Sequence, residues 1–334
     1  MSNQKGGVTR RVFSGMRPTG KLHLGHLAGA LGNWVRLQQE YECFYMVADW
    51  HAFMSEYEDP RAMAENSREM IRDFLAAGID PDRSVIFVQS QVPEHLELAM
   101  LFSCITPLGW VERCPTYKEQ LREIAGRDLT TYGFLGYPIL QAADIALYKA
   151  SAVPVGVDQI PHLELTREII RRFNSLYKND VFPEPKPLMT KTTKLLGLDN
   201  RKMSKSYGNF IALSDAPEEI VKKVSGMITD PERIKLKDKG HPDICSVFGY
   251  FLTFGDDRFK DEVRAWCEGA TVGCTECKKR LAEILIDNLA PIRQKREKLS
   301  RADIEGVMRQ GAIRARKAAA ETMDEVKRVI SLTI

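Results

Sequence analysis

Cys43-Phe44-Tyr45-Met46-Val47-Ala48 runs for six residues without a polar face. A strand wetted on one side alternates polar and apolar residues, so a run without alternation must be covered on both sides. Ser84-Val85-Ile86-Phe87-Val88 and Arg11-Val12-Phe13-Ser14-Gly15 read as strands of the same kind. Between them lie helical patterns. Leu24, Leu27, Leu31, Trp34, Val35 and Leu37 predict a helix over 24–39. Asp59-Pro60 predicts a second helix start, with Asp as cap and Pro in the first turn, then Met63, Met70, Ile71, Phe74 and Leu75 along one side and a stop at Gly78.

Strand, helix, strand, helix, strand with doubly covered strands is the pattern of an α/β, doubly wound parallel sheet, Rossmann-like in kind. Tyr137-Pro138 predicts a helix through Lys149, Val153-Pro154-Val155-Gly156 a fourth strand, and 162–173 a further helix. The stretch 182–200 carries three prolines and reads as a connection, whereas 112–135, charged and glycine-interrupted, reads as an insertion. Beyond Ser214 the chain is expected to be helical, ending in a helix over 311–330 with Ala319, Met323, Val326 and Ile330 on one stripe. The division predicted is a catalytic domain over 9–213 and an α-helical domain over 214–334. At 334 residues there is room for one large domain and a smaller one.

Net charge is +3, unevenly spread: from Lys278 onward 14 Lys+Arg stand against 8 Asp+Glu. A basic helical region suits docking of a nucleic acid. No apolar run reaches the ~20 residues a bilayer span needs. The polar, glycine-bearing start does not read as a secretory signal, so a cytoplasmic location without membrane contact is expected.

The chemistry is carried by two short stretches far apart. His23-Leu24-Gly25-His26 follows the first strand and opens the first helix. Imidazoles there add hydrogen bonds to a helix end that already favours anions, and Gly25 lets a nucleotide approach the backbone. Lys202-Met203-Ser204-Lys205-Ser206 comes almost two hundred residues later and suits a cationic clamp on polyphosphate. Transfer at an α-phosphorus that expels pyrophosphate needs charge neutralisation more than covalent help. His23, His26, Lys202 and Lys205 are therefore the expected catalytic groups, with Mg²⁺ on the ATP phosphates.

This pair of motifs, in this order, resembles the signature of the class I aminoacyl-tRNA synthetases. Ser14-Gly15-Met16-Arg17-Pro18-Thr19-Gly20, Ala48-Asp49-Trp50-His51-Ala52, Tyr137-Pro138-Ile139-Leu140-Gln141-Ala142-Ala143-Asp144-Ile145 and Val153-Pro154-Val155-Gly156-Val157-Asp158-Gln159 are similar to the tryptophanyl branch. The resemblance implies that L-tryptophan is ligated to tRNA(Trp) through an adenylate. It implies that Asp144 accepts the indole N–H, a donor-only group that a carboxylate suits. It also implies that Phe13 lines the indole pocket and that His51, Tyr137, Gln141 and Gln159 surround the amino acid. ATP would meet Arg17, Pro18, Thr19, Gly25, His26, Gly156, Val157, Asp158, Leu195 and the stretch Lys202, Met203, Ser204, Lys205 and Ser206. The same resemblance implies a homodimer, with contact through about 100–135, and anticodon binding by the helical domain.

Two departures stand out. The family commonly has Glu where this chain has Val157, so only backbone contact carries over there. Gln141 stands where many relatives have methionine, which alters that wall of the pocket. The tyrosyl branch shares both signatures, but a phenol needs polar partners and Phe13 offers none. A cytidylyltransferase has a related His-x-Gly-His without this later lysine stretch.

Of seven cysteines, Cys43, Cys104 and Cys114 are expected to be buried thiols. Cys245, Cys267, Cys274 and Cys277 cluster within 33 residues and offer four thiolates. Either a structural zinc or a [4Fe–4S] cluster fits four sulfurs. A subset of bacterial tryptophanyl enzymes resembles this chain in carrying the iron–sulfur cluster on such a pattern, which favours that metal site over zinc.

Overall fold

The computed structural model describes residues 10–115, 117–118, 128–189, 195–205 and 207–332. Five strands, β1 (Arg11–Met16), β2 (Glu42–Val47), β3 (Ser84–Val88), β4 (Ala152–Val155) and β5 (Lys186–Met189), form one sheet in the order β3-β2-β1-β4-β5. Every pairing is parallel, with Phe13 opposite Phe44 and Met46 opposite Phe87. The order reverses beside β1, so β1 and β4 flank the switch point of a doubly wound sheet.

The unalternating strands are covered on both faces. Val12, Tyr45 and Ile86 enter one core, while Phe13, Phe44 and Phe87 enter the other. Successive residues of a strand point to opposite faces, so both positions must be apolar when both faces are dry.

Leu24–His26 passes through a π-helical turn, Leu27–Leu31, into Gly32–Leu37; together these are α1. Asp49–Glu56 is α2 and Met63–Ala76 is α3. Asp59 does not cap α3: its carboxylate binds Arg61, and the helix begins after Ala62. Glu94–Ile105 is α4 and Tyr137–Leu147 is α5. Ile160–Tyr177, α6, runs longer at both ends than its apolar spacing predicts.

β5 lies inside the proline-bearing stretch that reads as a connection. It is an edge strand, where Pro187 removes no ladder bond that the sheet interior needs. Most of the expected insertion lies outside the described residues.

The C-terminal part comprises α7 (Pro217–Ser225), α8 (Ser246–Phe254), α9 (Asp257–Glu268), α10 (Cys274–Lys298) and α11 (Arg301–Val329). Arg296 of α10 pairs with Glu69 at 2.6 Å and with Asp73, both on α3. α11 starts at Arg301, ten residues before the expected 311, at a capping box of Ser300 and Asp303.

That last helix returns to the sheet. Ala315, Ala319, Met323 and Val326 share a core with Phe13, Phe44 and Phe87. A β-carbon on Gly311 would overlap the carbonyl oxygen of Ile86, so glycine allows α11 to lie against the backbone of β3. Arg314 donates to the carbonyl of Ser84 at 3.3 Å, and an otherwise open sheet edge is covered. Among the described residues no helix is long and apolar enough to cross a membrane. Cys43 and Cys114 are buried as expected. Cys104 is exposed, because it falls on the outer face of α4.

Candidate active site

Residues singled out by sequence gather at the carboxyl ends of the strands. Arg17, Pro18 and Thr19 follow β1, His51 follows β2, and Gly156, Val157 and Gln159 follow β4. In a doubly wound sheet this is where ligands sit.

His23 and His26 open α1 with ring centroids 3.8 Å apart. The backbone N–H of His23 donates to Nδ1 of His26 at 3.2 Å. Nδ1 is thereby an acceptor, so a neutral His26 carries its proton on Nε2, available to an incoming oxygen. Burial, then His23 and Lys205, hold His26 down at about 2; burial and Lys205 hold His23 at about 4. Both imidazoles are neutral donors near pH 7.

The lysine stretch stands against them. A β-carbon on Gly25 would lie 3.1 Å from the Met203 sulfur and 3.1 Å from the His23 ring, so the two motifs meet across this glycine. Lys205 Nζ donates to the Gly20 carbonyl at 3.0 Å and reaches Thr19 Oγ1 at 3.5 Å. Burial, then neighbouring Arg17, lower the Lys205 ammonium to about 8. Lys202 is exposed, and Leu195 packs against the core beside the stretch. Ser206 and the side chain of Asp158 lie outside the described residues.

Asn209, which the motif reading missed, braces this segment. Its Oδ1 accepts from the Ser204 N–H at 2.8 Å, and its Nδ2 donates to Asp199 at 2.7 Å and to the Lys202 carbonyl at 3.2 Å. Gly197 lies so close that a β-carbon there would overlap the Asn209 amide.

The second half of the site centres on Asp144, buried on α5. Its Oδ2 meets His51 Nε2 at 2.7 Å; its Oδ1 meets Gln89 Nε2 at 2.8 Å and His95 Nδ1 at 2.6 Å. Burial pushes this carboxyl up, but His51, then His95, outweigh that and hold it well below the usual carboxylate range. Gln89 and His95 were also missed. Their only sequence signal is polarity in otherwise apolar surroundings.

Phe13 stacks on Tyr148 at 5.5 Å. Tyr137 reaches His162 at 3.3 Å, and His162 lies 3.6 Å from the Cys114 sulfur. Gln141, one turn before Asp144, and Gln159 are both half-buried. Val157 is 73% exposed. Burial lowers the Arg17 guanidinium against the opposing pull of Glu56, and Arg17 in turn bears on Lys205.

In the C-terminal part, Cys245, Cys267, Cys274 and Cys277 line one small cavity with Asp230, Arg233 and Trp266. Burial, then the neighbouring thiols, push Cys277 up to about 12. Among the described residues no three His, Cys, Asp or Glu side chains stand in a metal-holding arrangement.

The model of the class I tRNA synthetases (W and Y) matches residues 5–290. The tryptophan–tRNA ligase of Thermotoga maritima is 50% identical over 329 residues, covering 96% of this chain and 99% of that protein. That of Aquifex aeolicus is 42% identical, covering 96% and 100%. The tryptophanyl-tRNA synthetase of Campylobacter jejuni, solved with ADP and tryptophan, superposes with a TM-score of 0.87 at 32% identity, covering 96% and 99%.

Proposed function

Because the chain belongs to the class I tRNA synthetases of the tryptophan and tyrosine family and joins tryptophan to its tRNA, we propose how its own residues perform that reaction. The tryptophan carboxylate attacks the α-phosphorus of ATP, forming tryptophanyl-adenylate and releasing pyrophosphate. The terminal ribose of tRNA(Trp) then takes the acyl group on its 2′-hydroxyl, and AMP leaves.

His26 Nε2–H and His23 donate to the phosphates as charge develops, and Lys202 and Lys205 neutralise the departing pyrophosphate. Arg17, Pro18, Thr19 and Gly25 form the floor beneath ATP; Gly156, Val157, Asp158 and Leu195 meet its nucleoside, Val157 through its backbone. Met203, Ser204 and Ser206 complete the clamp. Mg²⁺ bound with ATP would add further charge neutralisation on the phosphates. Asp144 accepts the indole N–H, Phe13 forms a wall, and His51, Tyr137, Gln141 and Gln159 surround the substrate. The meeting of the two motifs, with Met203 and His23 both against Gly25 and with Lys205 on the Gly20 carbonyl 185 positions away, is the observation that carries this reading.

The test is pyrophosphate exchange into ATP with each amino acid in turn. Exchange with tryptophan alone is expected; equal exchange with tyrosine would overturn the pocket assignment.

The basic region from Lys278 onward supports anticodon binding by residues 214–334, beside a catalytic domain over 9–213. Exposed Met100, Leu108 and Tyr132 support a homodimer contact through about 100–135. A tRNA substrate supports a cytoplasmic location.

The chemistry of the cysteine cavity supports an iron–sulfur group, though the four sulfurs as placed do not stand in a metal-holding arrangement: four soft sulfurs share one lining, and Gly240 leaves room where a β-carbon would overlap the Cys267 sulfur. Cys245, Cys267, Cys274 and Cys277 would hold a [4Fe–4S] cluster, which would brace the helical region by cross-linking α9 and α10 to the segment before α8. Iron and sulfide analysis of protein purified without oxygen tests this; one zinc per chain would refute it.

A further inference from the structure

The carboxylate that faces the indole has one saturated oxygen and one open one. Oδ1 of Asp144 is occupied by Gln89 and His95, both fully buried. Among the described residues Oδ2 has only His51, whose side chain is 13% exposed against 2% for Asp144 and 0% for Gln89 and His95. Among the described residues, the open approach to the carboxylate is from the His51 side.

We propose that Gln89 and His95 are specificity-determining positioning residues: by holding Oδ1 with two donors they turn Oδ2 toward the cleft, where the indole N–H binds. This rests on the reading of Asp144 as the indole acceptor.

The chemistry of the network fixes each group. An ionised Asp144 only accepts, so Gln89 must present its amide nitrogen and leave Oε1 without a partner. His95 must present Nδ1–H, so its Nε2 accepts from the Tyr148 hydroxyl at 2.8 Å. Burial keeps that phenol protonated, raising it well above its usual range. Tyr148 in turn stacks on Phe13 and, at 4.6 Å, on Phe44. The acceptor and the apolar wall of the pocket are thus parts of one rigid unit.

The donors come from the end of β3 (Gln89), from α4 (His95) and from α2 (His51). Neither Gln89 nor His95 touches the substrate. Without them the carboxyl group is free to rotate about its last torsion, and a broad two-fold torsion of this kind has no preferred setting of its own.

The readout is the ratio of kcat/KM for tryptophan to that for β-(3-benzothienyl)alanine, in which sulfur replaces the indole N–H. A site built around a substrate donor rejects the analogue lacking it. Gln89→Met and His95→Phe are expected to lower this ratio by about tenfold or more while KM for ATP stays within about twofold; His95→Asn, which keeps a donor, restores most of it. Should His95→Phe fail to fold, Gln89→Met carries the same test. An unchanged ratio in the folded variants, with a lowered ratio in Asp144→Asn, overturns the positioning role. An unchanged ratio in Asp144→Asn itself overturns the indole reading beneath it.

Discussion

The ammonium of Lys205 donates to the carbonyl oxygen of Gly20 at 3.0 Å, joining residues 185 positions apart. Gly20 has φ of +118°, a conformation that disfavours L side chains. The clamp therefore already lies over the phosphate-binding turn, held by a neutral acceptor. A polyphosphate offers Lys205 a charged acceptor instead, a stronger partner than a neutral carbonyl.

Lys205→Ala is expected to lower the adenylation rate by about 10²-fold or more while tryptophan affinity stays nearly unchanged, since the loss falls on transition-state charge. Single-turnover adenylate formation and fluorescence titration with tryptophan measure the two. A large loss of tryptophan binding would contradict the clamp role.

The lowered ammonium gives a pH signature. Lys205 is charged below about 8 and neutral above it in the free protein. kcat/KM for ATP should therefore fall as pH rises through 8, the profile that reports the free enzyme. Binding of anionic phosphate favours the charged form, so the same limb in kcat moves to higher pH. His23 at about 4 and His26 at about 2 add no limb near neutrality. In Lys205→Arg the limb near 8 should vanish; its persistence there would assign it to another group.

Asn209→Ala removes three hydrogen bonds that shape the clamp. Adenylation should slow by roughly 10–100-fold with tryptophan affinity intact, because a misplaced clamp loses positioning rather than substrate contact. A wild-type rate in this variant would show that the segment keeps its shape without the amide.

Gly311→Ala drives a methyl group into the carbonyl of Ile86. Overpacking of this kind costs about 1–3 kcal/mol, to be seen as a lowered denaturation midpoint. Ala315→Gly, one turn along, creates a small void without a clash and should cost less. Equal stability of Gly311→Ala and wild type would mean that α11 can shift off the edge strand.

Much of this molecule was legible in the chain. Cys43–Ala48 and Ser84–Val88 announced strands buried on both faces, and those faces are filled by two separate cores. The two signature stretches, with the segments around Asp144 and Gly156, pointed to ATP and tryptophan before any geometry was known. β5 escaped notice because its prolines spoke against a strand, and only its edge position makes them harmless. The start of α11 escaped because its capping box, Ser300 and Asp303, lies well before the apolar stripe that begins at Ala319.

Local pattern determined what each segment is: apolar runs, helical spacing and motif chemistry act within a few residues of the chain. Only the tertiary structure decided which segments meet. Gln89 and His95 look like any polar residues until β3 and α4 bring them to Asp144. Asn209 gains its meaning from Ser204 and Asp199. The physical reason is that a hydrogen bond across 50 or 180 residues leaves no periodicity to read. Its existence depends on how close packing of the whole sheet orients two side chains toward one another.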